Sequence, residues 1–371
     1  MASVLFSPIT LRGMTLPNRV VISPMCQYNS TDGCANDWHL MHLGSFSLGA
    51  AALVMTEMTN VNAVGRITYK CAGLYSDEQE KALKRVIDFC KQYGIAKQGL
   101  QVGHAGRKGS TTPPAMGGKP LKPEEGAWET LAPSAIPYSE GWHVPRAMTK
   151  EDLKNTLADY VATVERAERI GYDLIEMHAG HGYLIHEFLS PLSNQRSDEY
   201  GGSLEKRMRY PLEVFEAMRK AWPSDKPMGI RVSAVDWVEG GTTIEDTVAF
   251  ARELKALGCD YMDVSSGQLD ARQQIPFAPG YNAPFAEAVR KATGLPTMSV
   301  GLIAGYQQAE DIVASGKADF IVIGRGAMWD PRWAWHAAEE LGAEAPYAPR
   351  TMPCHPKMRP WLFPKRGQAA V

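Results

Sequence analysis

The 371-residue sequence has no Cys-x-x-Cys pair, no Gly-x-Gly-x-x-Gly fingerprint, no block of like charge and no long apolar run. Each absence excludes something. The six cysteines (Cys26, Cys34, Cys71, Cys90, Cys259 and Cys354) are scattered, which reads as reduced thiols rather than a disulfide framework. Without a long apolar stretch no membrane span is expected. The amino terminus does not read as a leader, so a cytoplasmic location is expected. Lysine plus arginine (39) nearly balances aspartate plus glutamate (41), for a net charge of −2, so neither nucleic acid nor membrane is implied as a partner. What the chain has is a 44% hydrophobic and 22% charged composition, enough for a sizeable core.

Strand-like and helix-like segments alternate about eight times. Short apolar runs at 20–22, 52–56, 99–102, 173–178, 228–233, 261–265, 297–300 and 320–323 read as strands. Amphipathic runs at 36–49, 77–93, 149–170, 204–222, 244–257, 283–292, 307–315 and 331–341 read as helices. Ser76 stands as a cap, and Thr149 opens a capping-box-like start. The alternation predicts an α/β (β/α)₈ TIM barrel over residues 1–342. Residues 9–16 form a hairpin turning at Arg12-Gly13, suited to plug one end. Residues 109–148 are a Pro- and Gly-rich excursion without a period, either a functional lid or a surface insertion. Residues 343–371 are a Pro-rich tail, expected to be extended and to lie on the surface.

The most informative stretch is Ile175-Glu-Met-His-Ala-Gly-His-Gly-Tyr183, a buried strand running into a polar turn. Two imidazoles there could donate N–H groups to one oxygen, and Tyr183 offers an acidic O–H. That set suits a carbonyl that must gain electrons and then a proton. His178 and His181 could also be structural residues, or metal ligands, although no carboxylate or cysteine stands at ligand spacing beside them. In such barrels the site lies at the carboxyl ends of the strands. Other unusual residues fall there. Gly301, Gly324 and Arg325 after the last two strands suit a phosphate. Arg231 and Gln101 would face either a structural carboxylate or a cofactor ring edge. Cys26 is either an inert thiol or a group that tunes an electron carrier.

Eight motifs, in order, carry a resemblance over about residues 5–341. They are Ser23-Pro-Met-Cys26 with Tyr28; Gly65-Arg-Ile-Thr68; Gln101 with His104-Ala-Gly-Arg-Lys108; His178-Ala-Gly-His-Gly-Tyr183; Ile185-His-Glu-Phe-Leu-Ser-Pro-Leu-Ser-Asn194; Asp198-Glu-Tyr-Gly-Gly-Ser203; Arg231-Val-Ser233; and Ile323-Gly-Arg325. Together they resemble the Old Yellow Enzyme family of FMN-dependent ene-reductases, in its bacterial thermophilic-like subclass. The resemblance implies non-covalent FMN, NADPH as the hydride-donating co-substrate and no metal. It implies a homodimer or homotetramer acting on small molecules. The substrates implied are α,β-unsaturated carbonyl compounds (enones, enals and maleimides), with nitro compounds as a further class.

By position, the resemblance puts Ser23, Pro24, Met25, Cys26 and Met58 against the flavin, with Gln101 and Arg231 on its pyrimidine edge. Gly301, Gly324 and Arg325 fall at its phosphate. His178 and His181 match the pair that holds the substrate carbonyl, Tyr183 the proton donor, and Tyr28 and Lys108 the substrate side. Two departures stand out. The excursion after Lys108 is longer than in compact members. The tail is longer and richer in proline than the segment that, in the subclass, lends an arginine or aromatic to a neighbouring site. Arg359 or Trp361 is the candidate here, with Phe363 beside them as an aromatic expected to dock.

Overall fold

The computed structural model describes residues 2–358. Eight parallel strands close into a barrel in chain order: Val20–Ile22, Leu53–Asn60, Lys97–Gly103, Leu174–Ala179, Met228–Ser233, Met262–Ser265, Thr297–Ser299 and Phe320–Ile323. Every neighbouring pair is parallel, and the eighth strand closes on the first through Ile321 opposite Val20. This is the expected (β/α)₈ barrel. The strands are almost wholly buried because helices cover the outside and side chains fill the inside.

Local chemistry sets the helix starts. Asn36 caps Asp37–Ser47, with His39 completing a reciprocal capping box. Ser76 Oγ accepts from Gln79 N ahead of Asp77–Tyr93, and Thr149 accepts from Asp152 N ahead of Lys150–Ile170. The hairpin Ile9–Leu11 with Met14–Leu16 closes the amino-terminal end of the barrel. Its Leu11, Met14 and Leu16 pack with Val21, Leu53, Leu174, Tyr261 and Phe320.

Three segments differ from expectation. A short helix, Leu184–Leu189, follows the His178–Tyr183 turn. All six of its residues are buried, so no amphipathic period reveals it. The helix expected over 331–341 forms as Trp333–Glu340, but a further short helix, Arg325–Trp329, precedes it. Pro331, which has no N–H, stands in the break, and Asp330 turns the chain there through Arg332 N (2.9 Å). The described part of the tail, up to Met358, is not extended. It folds into 3₁₀ turns at Pro349–Cys354 and Pro356–Met358. Tyr347 stacks on Trp335 with ring centres 4.3 Å apart, so this part of the tail rests on its own barrel. Arg359, Trp361 and Phe363 lie outside the described residues.

The 109–148 excursion is irregular, as expected, apart from short 3₁₀ turns and a two-residue pairing of Leu131–Ala132 with Arg146–Ala147. Arg107 Nη1 reaches Ile136 O (3.4 Å), which ties the excursion to the carboxyl end of the third strand.

Candidate active site

The barrel brings the sequence candidates to one end. His178 is on the fourth strand, in register with Arg231 on the fifth, which faces Asp263 on the sixth. Alternation along a strand puts Glu176 on the same inner face as His178, two residues deeper. Gln101 is in register with Glu176 and donates to it from Nε2 at 2.8 Å. Glu57 and Met58 stand where the second strand slips register against the third, between Thr56 and Thr59. Such a bulge re-aims side chains at a barrel rim. Met58 there packs with Ile67, Cys71 and Ala105, and Cys26, Tyr28 and Tyr183 lie against the same cluster.

His178 and His181 lie edge to face, 4.9 Å between centroids, and Tyr183 lies edge to face with His178 at 5.1 Å. The backbone N–H of Gly180 donates to His178 Nδ1 (3.2 Å), which assigns the ring proton to Nε2. That N–H points at His181 Nδ1, 3.1 Å away, and His181 Nε2 is 3.1 Å from Ser265 Oγ. Burial, and then the Arg231 charge, push both imidazoles well below their ordinary pKa. They are therefore neutral near pH 7. Burial pushes the Tyr183 phenol well above its ordinary value, and it keeps its proton.

Lys108 Nζ donates to His181 O and Gln268 O, both at 2.9 Å. It sits 4.5 Å from the centre of the Tyr138 ring and 5.6 Å from that of Tyr183. Burial and Arg107 lower its pKa to about 8. Burial raises the Cys26 thiol, which lies with Tyr28 against the Met58 cluster. Tyr28 itself has a left-handed backbone, φ 50°.

Beneath these groups lies a charged cluster. Arg231 is 5% exposed; its Nη1 donates to Ser23 Oγ (3.1 Å), and its Nε is 3.3 Å from Asp263 Oδ2 but too poorly aligned for a hydrogen bond. Burial raises both Glu176, to about 8, and Asp263, and Arg231 opposes this at each. The cluster therefore has one permanent cation and two carboxyls that resist full ionisation. Arg231 Nε and Asp263 Oδ1 are both without a hydrogen-bond partner, so the cluster has capacity for a polar ring edge.

Across the same end of the barrel, Gly301, Gly324 and Arg325 follow the seventh and eighth strands, next to Ser23–Met25 after the first. Gly301 has φ 116°, which side-chain-bearing residues rarely adopt. A Cβ there would meet Asn282 Nδ2 at 2.8 Å, and that amide nitrogen is buried without a partner. Arg325 is exposed and forms no ion pair among the described residues. A spare guanidinium beside glycine backbone suits a phosphate, so the two sides of this end fit a phosphorylated, ring-bearing cofactor. Among the described residues no three His, Cys, Asp or Glu side chains form a metal set.

Sequence reasoning missed several groups that complete this site. Ser265 and Ser233 fix His181 from the sixth and fifth strands. Asp263 pairs with Arg231, and Tyr138 reaches in from the excursion. The apolar neighbourhood of Arg231 was the one signal, and it called for an acceptor, a carboxylate or a ring edge, without choosing between them.

A further buried acid lies close by. Glu187 Oε1 accepts from Arg107 N (2.8 Å) while its Oε2 has no partner. Burial raises this carboxyl to about 8, with Arg107 opposing the rise. Its raised folded value makes its contribution to stability full below about pH 4.5 and lost as pH climbs towards 8. Glu187→Gln is therefore expected to flatten stability against pH between those values, measured by urea unfolding. An unchanged slope would return Glu187 to an ordinary ionised carboxylate.

A barrel with a phosphate-suited rim, a ring-edge cluster and two facing imidazoles suits a cofactor-dependent oxidoreductase. Comparison with known proteins makes this specific. Residues 4–344 match the NADH:flavin oxidoreductase / NADH oxidase family, and the chain belongs to it. It is 42% identical to an NADPH dehydrogenase of Geobacillus sp. (strain WCH70), over 92% of this chain and 96% of that one. It is 41% identical to an NADPH dehydrogenase of Bacillus subtilis (strain 168), over 93% and 97%. Among solved structures, morphinone reductase superposes with a TM-score of 0.77 at 26% identity, covering 95% of this chain and 93% of that one. The protein is thus a flavin-dependent oxidoreductase of the Old Yellow Enzyme type, and its cofactor is FMN.

Proposed function

We propose that this enzyme takes electrons from NADPH and reduces the activated C=C bond of α,β-unsaturated carbonyl compounds. The observation that carries this reading is the facing of His178 Nε2 and His181 Nδ1, 3.1 Å apart, beside the Tyr183 ring. FMN, when bound, would supply the hydride chemistry at the β-carbon. Every other requirement falls to side chains.

A carbonyl oxygen entering between the imidazoles accepts the His178 Nε2–H. It accepts a second bond once His181 carries its proton on Nδ1, with Ser265 Oγ donating to Nε2 instead of accepting. That switch needs only a rotated hydroxyl and a moved proton, since Ser265 can play either part. Neutral imidazoles hold the oxygen without surrendering a proton, which draws electrons from the β-carbon. Tyr183 O–H is then the proton source for the α-carbon. The Lys108 ammonium over the Tyr183 ring favours the phenolate that results. Two of the three Lys108 protons go to backbone carbonyls, and the third, with Tyr28, is left for the substrate side. Ser23, Pro24, Met25, Cys26 and Met58 would line the flavin. Gln101 and Arg231 would hold its pyrimidine edge, and Gly301, Gly324 and Arg325 its phosphate.

Tyr183→Phe tests the reading in stopped flow. Flavin bleaching by NADPH should stay near the wild-type rate. Return of the yellow colour on adding an enone should slow by about 10²-fold, the usual worth of a positioned acid. Equal slowing of both steps would sink the proton-donor role.

A further inference from the structure

The turn that carries His181 and Tyr183 has an uphill backbone. His181 (φ 58°) and Gly182 (φ 73°) are both left-handed, and a Cβ on Gly182 would lie 2.4 Å from Gln268 O. Such a turn persists only if its surroundings hold it. Ser233 Oγ accepts from His181 N (2.9 Å), and Lys108 Nζ donates to His181 O. The third tie comes from below. The N–H of Gly182 donates to His186 Nδ1 at 2.9 Å.

His186 does not stand alone. Its Nε2 is 2.9 Å from Asp236 Oδ1, and both residues are fully buried. Asp236 Oδ2 accepts from Ser190 Oγ and from Thr242 N, each at 2.7 Å. Burial pushes this carboxyl up, but His186 and the donors from Thr242 and Ser190 outweigh it and leave it below the ordinary value. An ionised Asp236 only accepts, so it keeps the His186 proton on Nε2. Nδ1 is then bare and always available to Gly182.

We infer that the His186–Asp236 pair is a positioning element that locks the His186 tautomer and so holds the 180–183 turn in the geometry that presents His181 and Tyr183 to substrate. The inference rests on the substrate-facing reading of that turn. The pair touches neither substrate nor cofactor; it acts through one backbone N–H. Asp236→Asn exposes the logic. If the new amide N–H faces His186, the imidazole proton moves to Nδ1 and confronts Gly182 N–H. If the amide is turned over, its NH₂ confronts Thr242 N–H. Either way two donors oppose each other.

The holoenzyme is compared as wild type, Asp236→Asn, His186→Leu, His186→Asn and His181→Ala. Flavin content, the KM and kcat for cyclohexenone, and the Kd for a phenolate read from flavin absorbance are measured. Imidazole ¹⁵N spectra report the tautomers. Asp236→Asn and His186→Leu should raise KM and Kd at least about tenfold with flavin retained, because a small displacement of a binding group is costly. The His186 signal in Asp236→Asn should move to the Nδ1–H pattern or broaden. His186→Asn, whose δ-oxygen can accept from Gly182, should recover most of the binding. Normal KM and Kd in Asp236→Asn, with His181→Ala impaired, overturn the inference alone. Normal binding in His181→Ala overturns the substrate-facing reading and this inference with it. Loss of flavin from all three variants of the pair, or equal defects in His186→Asn and His186→Leu, makes the pair a general packing element and also overturns it.

Discussion

His178→Ala and His181→Ala should each lower kcat/KM for an enone by about 2–4 kcal/mol of transition-state stabilisation, a factor of roughly 30 to 1,000. The magnitude follows from the setting. His178 is buried, His181 is half-buried and both are neutral, so each N–H acts where little water competes for the oxygen. Removing either also unsettles the other, since each occupies the other's hydrogen-bonding nitrogen at 3.1 Å. The two losses should therefore fall short of additive in the double variant. Flavin should remain bound, because Arg231, Gln101 and the glycine rim are untouched. Steady-state kinetics and the flavin absorbance of the purified variants decide it. Undiminished turnover in both single variants would remove the carbonyl-holding role.

Arg231→Met should be the most damaging single change to the folded state. Arg231 is the cation that opposes the burial of Asp263 and Glu176. Removing one partner of a buried pair costs on the order of 3–5 kcal/mol. The cost should grow with pH. Burial alone then acts on Asp263, whose folded value rises further above the ordinary 3.8. The cost is absent below the ordinary 3.8 and grows as pH rises from there towards the raised folded value. Urea unfolding at several pH values, with flavin content recorded, gives the comparison. Arg231→Met with Asp263→Asn should recover stability without recovering flavin. A single variant within about 1 kcal/mol of wild type at every pH would mean the cluster is not organised around this cation.

Much of the molecule was legible in the residues. Val20-Val-Ile22 and Phe320-Ile-Val-Ile323 read as buried parallel strands because neither face of such a strand meets water. Ser76 and Thr149 announced helix starts because a side-chain oxygen must meet an orphan N–H. Arg231 in an apolar run required an acceptor, and Asp263 supplies part of it. Leu184–Leu189 was not legible, since a helix buried on every side has no period. The tail misled because prolines stop an α-helix yet permit the 3₁₀ turns found at 349–358.

By itself, then, the sequence determined the barrel, the end of it that carries the site, and the types of group gathered there. These depend on period, capping and turn chemistry, which are local. Only the tertiary structure decided which nitrogen of His178 carries its proton, that Ser265 stands behind His181, and that Lys108 spends two protons on backbone carbonyls. It also decided that His186 and Asp236 meet beneath the turn. Such pairings join residues on different strands and loops. A hydrogen bond is set by tenths of an ångström between groups far apart in the chain, and no local pattern encodes that distance.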